Sequence, residues 1–283
     1  MRSQAITTYS PESEIRRPGL LLRNMLRDVR NSFHLAWRLA RRDIAAQYRQ
    51  SYLGYLWAFI MPLANTVVWI LLSRSGVVRV ADTDIPYPVF VFTGTMIWQV
   101  LVESVQSPLQ QVAAARSFLT KLKFPREALI VSGMINQLLS VGIKLVILVP
   151  VVLLLGVTPD WHVLLVPLAL LATMITGMAL GLVISPLGML YSDVGRVVPL
   201  FAQFLMYVTP VVFAMPASGR VAALIALNPA TPLVLTGRAW LTGAETPVLV
   251  PFLVVTAVAI VLLCIGAVLF RVALPILIER LST

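Results

Sequence analysis

Residues 41–63, RRDIAAQYRQSYLGYLWAFIMPL, pass from two arginines and an aspartate into an apolar run with only Ser51 to Gly54 between. Upstream, Leu22, Leu26, Val29, Phe33, Trp37, Ala40, Ile44 and Tyr48 recur at helical spacing. Arg23, Arg27, Arg30, His34, Arg38 and Arg41 follow the same three-and-four spacing on a neighbouring face. That pattern is an amphipathic helix over 20–51 with one basic side. Such a helix lies in the headgroup layer, with arginines on phosphates and Phe33 and Trp37 in the acyl boundary. The chain then turns at Ser51–Gly54, where glycine permits a sharp turn, and enters the membrane. Two uses are open at this point. The helix is a plain topological anchor, or it is an entry for a lipid-linked, phosphate-bearing substrate.

The rest of the composition supports a membrane solvent. Hydrophobic residues make up 59% of the 283 and charged residues 12%, about half the charged share of a soluble domain. The net charge of +10 is not a nucleic-acid signal, because the arginines concentrate in the first 50 positions and in short loops. The single cysteine, Cys264, lies in an apolar run and excludes a disulfide framework. Residues 1–19 have no apolar core of a signal peptide and read as a disordered cytoplasmic tail.

Six segments are apolar enough to span: 52–73, 87–112, 128–156, 162–190, 197–215 and 246–270. With the N-terminus inside, 17 of the 22 lysines and arginines fall in inner segments and four in outer ones. The positive-inside rule therefore places both termini, including 271–283, in the cytoplasm. The expected fold is an all-α integral membrane protein of the cytoplasmic membrane. Between spans five and six, 216–245 holds RVAALIAL, NPATP and LVLTGRAWL, each apolar piece too short to cross. They read as short re-entrant helices on the outer side, or as a partly buried surface loop. Between spans two and three, AARSFLTKLKFPREAL (114–129) mixes Phe118, Leu119, Leu122 and Phe124 with Arg116, Lys121 and Lys123. A loop that only sets topology has no need of four large apolar side chains; apolar residues rimmed by charge suggest a cytoplasmic docking surface.

Glu103 and Lys144 lie at membrane depth, roughly 24 Å and 18 Å from the outer ends of their spans. Such charges are paired or face a wet cavity. Pairing between adjacent helices is the simpler expectation; a polar patch on a conduit is the other. Trp57, Trp69, Phe90, Phe92, Trp98, Phe201, Phe204, Tyr207 and Phe213 suit packing or an interfacial belt, and some suit a wall for sugar rings. No G-x-x-x-x-G-K-[ST] occurs, the two histidines are isolated, and no carboxylates cluster. Nucleotide binding, metal binding and catalysis are therefore not expected of this chain.

RRDIAAQYRQSYLGYLWAFIMPL, KFPREAL (123–129) and NPATPLVLTGRAWLTG (228–243), in that order among six spans, resemble the membrane subunit of ABC-2-type exporters of cell-surface polysaccharides. That group includes O-antigen, capsule and teichoic acid permeases. The resemblance covers about 35–275. It implies a homodimer that pairs with two copies of a cytoplasmic ATPase, which carries the ATP and magnesium, so this chain has no cofactor. It implies that a polyprenyl-diphosphate-linked glycan enters at a gate of Arg38, Arg41, Arg42, Arg49, Leu53 and Gly54. Residues 115–124, with Arg116, Ser117, Phe118, Leu119, Lys121 and Lys123, correspond to the coupling helix. Asn228, Pro229 and Arg238 correspond to the outer gate. Trp57, Trp69, Trp98, Phe201, Phe204 and Tyr207 correspond to the channel wall. Lys144 has no expected counterpart. A permease for a drug or simple lipid is the nearest rival; an ion-coupled transporter or a membrane enzyme of glycan assembly lacks the expected repeats or carboxylates.

Overall fold

A computed structural model describes residues 18–48, 52–75, 85–119, 127–216, 218–244, 246 and 248–282. The described residues are helical with no strand. In chain order the α-helices are α1 (Pro18–Tyr48), α2 (Trp57–Arg74), α3 (Tyr87–Leu119), α4 (Glu127–Leu154), α5 (Val166–Leu190), α6 (Val194–Met206), α7 (Arg220–Leu227), α8 (Ala230–Thr242) and α9 (Leu249–Ser282). Short 3-10 turns, Gly54–Leu56 and Trp161–Leu165, lead into α2 and α5.

Four of these helices, α3, α4, α5 with its leading turn, and α9, are long and apolar enough to cross a membrane. The α7–α8 pair qualifies only when taken together, and it is bent by 86° at its break. That bend suits a broken span or a re-entrant pair alike. Asn228 caps the new helix by accepting from the Ala230 N–H at 3.0 Å. Two of the six expected spans are shorter helices. α2 begins at Trp57 rather than 52, because Gly54 at φ +47° turns the chain first. α6 ends at Met206 rather than running to 215. Pro210 disfavours helical backbone at Thr209, and the carbonyls beyond it are taken by side chains from other helices.

One further expectation needs correction. Residues 115–119 are not the start of a separate helix but the end of α3, which runs unbroken for 33 residues. Nothing between Pro108 and Pro125 breaks a helix, and Val112 and Ala115 are buried against neighbouring helices. From residue 271 the chain continues α9 to Ser282. The tail over 1–17 and the loop over 120–126 lie outside the described residues.

α3 is the hub. It packs against α2, α4, α5, α6 and α8, while α9 covers α5 and α1 lies on α4. The α3–α5 contact is close because α5 carries glycines four apart. A Cβ on Gly177 would sit 2.6 Å from the Leu101 carbonyl oxygen, and one on Gly181 would sit 2.3 Å from that of Val105. In hydrocarbon no hydrophobic drive holds helices together, so association depends on such backbone approach. A second apolar cluster gathers at one end of the bundle. Val112 and Ala115 of α3, Leu129 of α4, Met189 of α5, and Phe270, Leu274 and Leu277 of α9 meet Met25 and Leu39 of α1 there.

Gly181→Val should therefore weaken the fold by about 2 kcal/mol or more, the scale of overpacking a filled contact. Gly142→Ala, whose added Cβ meets nothing within 4 Å, should be neutral or slightly stabilising. Thermal unfolding of both variants in one detergent separates these outcomes.

Candidate functional site

α1 turns a narrow stripe towards the protein: Asp28, Ser32, Ala36 and Ala40, four residues apart and all buried. Phe33 and Trp37 each remain 54% exposed, and Arg38, Arg41 and Arg42 are exposed beside them. The helix thus rests on small side chains and leaves its large rings and guanidinium groups outward. Arg42 pairs with Asp43 at 2.8 Å, and Gln111 of α3 donates to the other Asp43 oxygen at 3.1 Å. At the opposite end of the stripe, Arg271 of α9 meets Asp28 at 3.0 Å and also Glu127 at the start of α4. All three are buried. Leu53 is exposed and Gly54 forms the turn into α2. Arg49 lies outside the described residues.

Arg116, Ser117, Phe118 and Leu119 occupy the last turns of α3. Their side chains, together with Lys121 and Lys123, lie outside the described residues. A helix of 33 residues is about 50 Å long against a hydrocarbon core of about 30 Å. α3 is therefore longer than the hydrocarbon core is thick, and its last turns lie beside the C-terminal part of α9 and the start of α4.

Glu103 and Lys144 come together between α3 and α4. The Lys144 ammonium donates to Glu103 Oε2 and, at 3.0 Å, to Ser140 Oγ; Ser140 donates to the same carboxylate at 2.8 Å. Gln137 adds a bond to the Glu103 carbonyl at 3.2 Å. The arrangement is asymmetric: the Lys144 side chain is 3% exposed and that of Glu103 is 43% exposed. The pair therefore seals a cation inside and presents a carboxylate on the surface of the chain.

Asn228, Pro229 and Arg238 sit at the other end of the bundle, where α6 has ended. Asn228 donates to Thr209 Oγ1 at 2.8 Å. Arg238 Nη2 donates to the carbonyls of Pro210 at 3.1 Å and Val211 at 2.6 Å, and the guanidinium lies 3.6 Å over the Phe90 ring. Tyr87 donates to the Val212 carbonyl at 3.1 Å. Arg238 is only 5% exposed. It does not face an opening but fills the junction of α3, α8 and the 207–213 turn. Bonds from a charged donor to buried carbonyls contribute about 1.5–3 kcal/mol each, and a desolvated cation–π contact about 2 kcal/mol. Gly94 makes room for this: a Cβ there would lie 2.2 Å from the Val211 oxygen and 2.3 Å from Arg238 Nη2.

The aromatic candidates divide. Trp57, Phe201, Phe204 and Tyr207 are exposed on α2, α6 and the turn after it. Trp69 is partly buried against the main core. Trp98 is fully packed within that core, so its place on an exposed wall must be corrected; it sits on the face of α3 that the other helices cover. Sequence reasoning missed Asp28, Glu127, Arg271 and Gly94. The ion pair between Arg271 and Glu127 joins residues 144 apart, which no periodicity reveals. The stripe of small residues on α1 was the one available clue.

Glu103→Leu alone leaves the buried Lys144 ammonium without its carboxylate and should cost about 3 kcal/mol, whereas Lys144→Leu with Glu103→Leu should lie much nearer the parent. Unfolding in detergent, read as a double-mutant cycle, gives the difference. Gly94→Ala should displace the Arg238 guanidinium from the Val211 carbonyl, and should destabilise the protein by more than alanine at Gly142; the same thermal measurement reads this.

Residues 34–239 match the model of the ABC-2 type transporter family. The chain is 28% identical over 254 residues to the O-antigen export system permease protein RfbA of Myxococcus xanthus, covering 87% of this chain and 96% of that protein. It is 26% identical over 211 residues to an O-antigen export system permease protein RfbA of Klebsiella pneumoniae, covering 73% of this chain and 79% of that one. With the family's pattern extending from α1 through α8, the chain belongs to the ABC-2 type transporter family, as a multi-pass membrane transport subunit.

Proposed function

We propose that this chain is the permease half of an ATP-driven exporter of a lipid-linked O-antigen-type polysaccharide. The observation that carries this reading is similarity along nearly the whole length of a permease named for O-antigen export. A permease of the same family built for a drug or simple lipid is the alternative. The exposed basic face of α1 favours a cargo with phosphate groups.

On this reading α2 and α6 complete six spans, and both termini face the cytoplasm. α1 lies at the inner surface as the gate helix. Arg38, Arg41, Arg42 and Arg49 receive the diphosphate of a polyprenyl-linked glycan, and Leu53 and Gly54 border its entry. Two copies of the chain enclose the path, with Trp57, Phe201, Phe204 and Tyr207 offering ring faces to sugar C–H groups. The projecting end of α3 and the following basic loop, Arg116 to Lys123, seat on a separate ATPase that holds ATP and magnesium. Asn228 and Arg238 brace the re-entrant pair on the outer side. Chemistry resides in the partner; this chain supplies a gated conduit.

Phe118→Asp with Leu119→Asp should abolish co-purification of the ATPase and reduce export at least tenfold. Unchanged co-purification and export would refute the docking assignment. Cells lacking the gene should accumulate lipid-linked glycan on the inner side of the membrane; accumulation of none would favour the drug or simple-lipid alternative.

A further inference from the structure

We infer that Arg271 is the mechanical link between the ATPase-facing loop and the gate helix, a positioning residue for transport that neither the sequence motifs nor the family resemblance assigned. The inference rests on the reading of this chain as an ATPase-coupled permease. It concerns how motion, rather than cargo, is passed on.

The geometry starts from how α1 is attached. Its protein-facing stripe is Asp28, Ser32, Ala36 and Ala40, and its largest exposed rings, Phe33 and Trp37, point away from the protein. Small side chains bury little apolar area, and stabilisation scales with that area. Met25 and Leu39 add apolar packing against the end cluster, and polar contacts towards the two ends of the stripe fix where the helix sits. Near one end, Gln111 donates to Asp43 at 3.1 Å. Near the other, Arg271 meets Asp28 at 3.0 Å. The first is a bond between an amide and a carboxylate whose side chain is 21% exposed. The second is a buried ion pair, which is strongly unfavourable to break one-sidedly.

Arg271 does more than hold α1. Its other terminal nitrogen bonds Glu127, the first residue of α4 and the residue directly after the loop that joins α3 to α4. A guanidinium is a rigid planar fork, so two carboxylates bound to its two arms keep a fixed relation. A displacement of the loop moves Glu127, Glu127 moves the fork, and the fork moves Asp28. Leu274 and Phe270, on the same stretch of α9, pack in the cluster with Val112 and Ala115 of α3, so movement at this end of α3 reaches the fork as well. Lysine, a point charge, cannot reproduce this two-armed contact.

The test uses the full complex with its ATPase in lipid nanodiscs, with variants Arg271→Gln, Arg271→Lys and Asp28→Asn. Asp28→Asn leaves the Arg271–Glu127 contact in place, so it reads the link even where Arg271→Gln fails to assemble. Hydrogen exchange of the backbone over 18–48 should rise at least tenfold in Arg271→Gln and Asp28→Asn, with exchange in α5 unchanged. ATP hydrolysis should stay within threefold of the parent while export falls at least tenfold. Arg271→Lys should recover only part of the export. Unchanged exchange over 18–48 would overturn the inference, as would hydrolysis and export falling together in Asp28→Asn. The exchange measurement needs no cargo. Failure of the parent complex to move glycan would therefore defeat the proposed function while leaving this result standing.

Discussion

A cation withdrawn from water must be given oxygen or an aromatic face in return, and that constraint ties this protein together at three levels. Arg238 is held by two carbonyls and the Phe90 ring. Lys144 is held by a carboxylate and a hydroxyl. Arg271 is held by two carboxylates. Each cation joins elements distant in sequence, and each uses a different kind of partner. Carbonyls are available to Arg238 because α6 ends early, leaving backbone acceptors that a continuous helix would use internally. The early end of α6 and the burial of Arg238 are thus one feature seen from two sides.

The apolar contacts between helices obey a separate rule. Lipid tails match leucine in polarity, so large apolar residues do not by themselves select a neighbour. Selection comes from shape. Gly177 and Gly181 let α5 approach the backbone of α3, and Gly94 lets the Arg238 group approach α3 from the other side. The same logic operates at α1, whose most buried residues are alanine and serine, with Met25 and Leu39 packing beside them. Large apolar side chains instead remain exposed along α2, α6 and α9, as expected where the surrounding medium is itself apolar.

This division explains what was legible in the sequence. Segments that meet lipid or the membrane surface announce themselves by composition and period: the basic helix before Gly54, the four long apolar helices, and the Pro229 break that becomes an 86° bend. Glu103 and Lys144 could be matched because their depths are set by helix rise alone. The ends of helices were less legible. α3 passes the expected boundary at 112 because burial of Val112 and Ala115 continues it, and α6 stops short because carbonyl acceptors beyond it are claimed by Arg238 and Tyr87. Both outcomes depend on residues far away in the chain. Arg271 appeared in the sequence only as one more positive charge after the last span, where the positive-inside rule already accounted for it. A sufficient statistical reason for its presence concealed a structural one.

The two ends of the bundle differ in a way that bears on movement. Around Arg238, contacts come from neutral carbonyls, a ring and closely packed glycine backbone; Nη2 carries both carbonyl bonds while Nε and Nη1 are buried without a partner, so rearrangement there would strip the guanidinium of the contacts it has. The opposite end combines charged side chains on separate helices with a thin strip of small residues under α1. A helix resting on small residues there, with the Arg271 fork joining it to α4, shifts as a body at less cost than one whose backbone is interlocked at close-packed glycines. Rigidity is therefore concentrated where the re-entrant pair meets α3, and compliance where α1 meets α4 and α9. A permease driven from one end requires that asymmetry: force applied to a compliant end is transmitted as displacement, whereas a bundle equally rigid at both ends would only be strained.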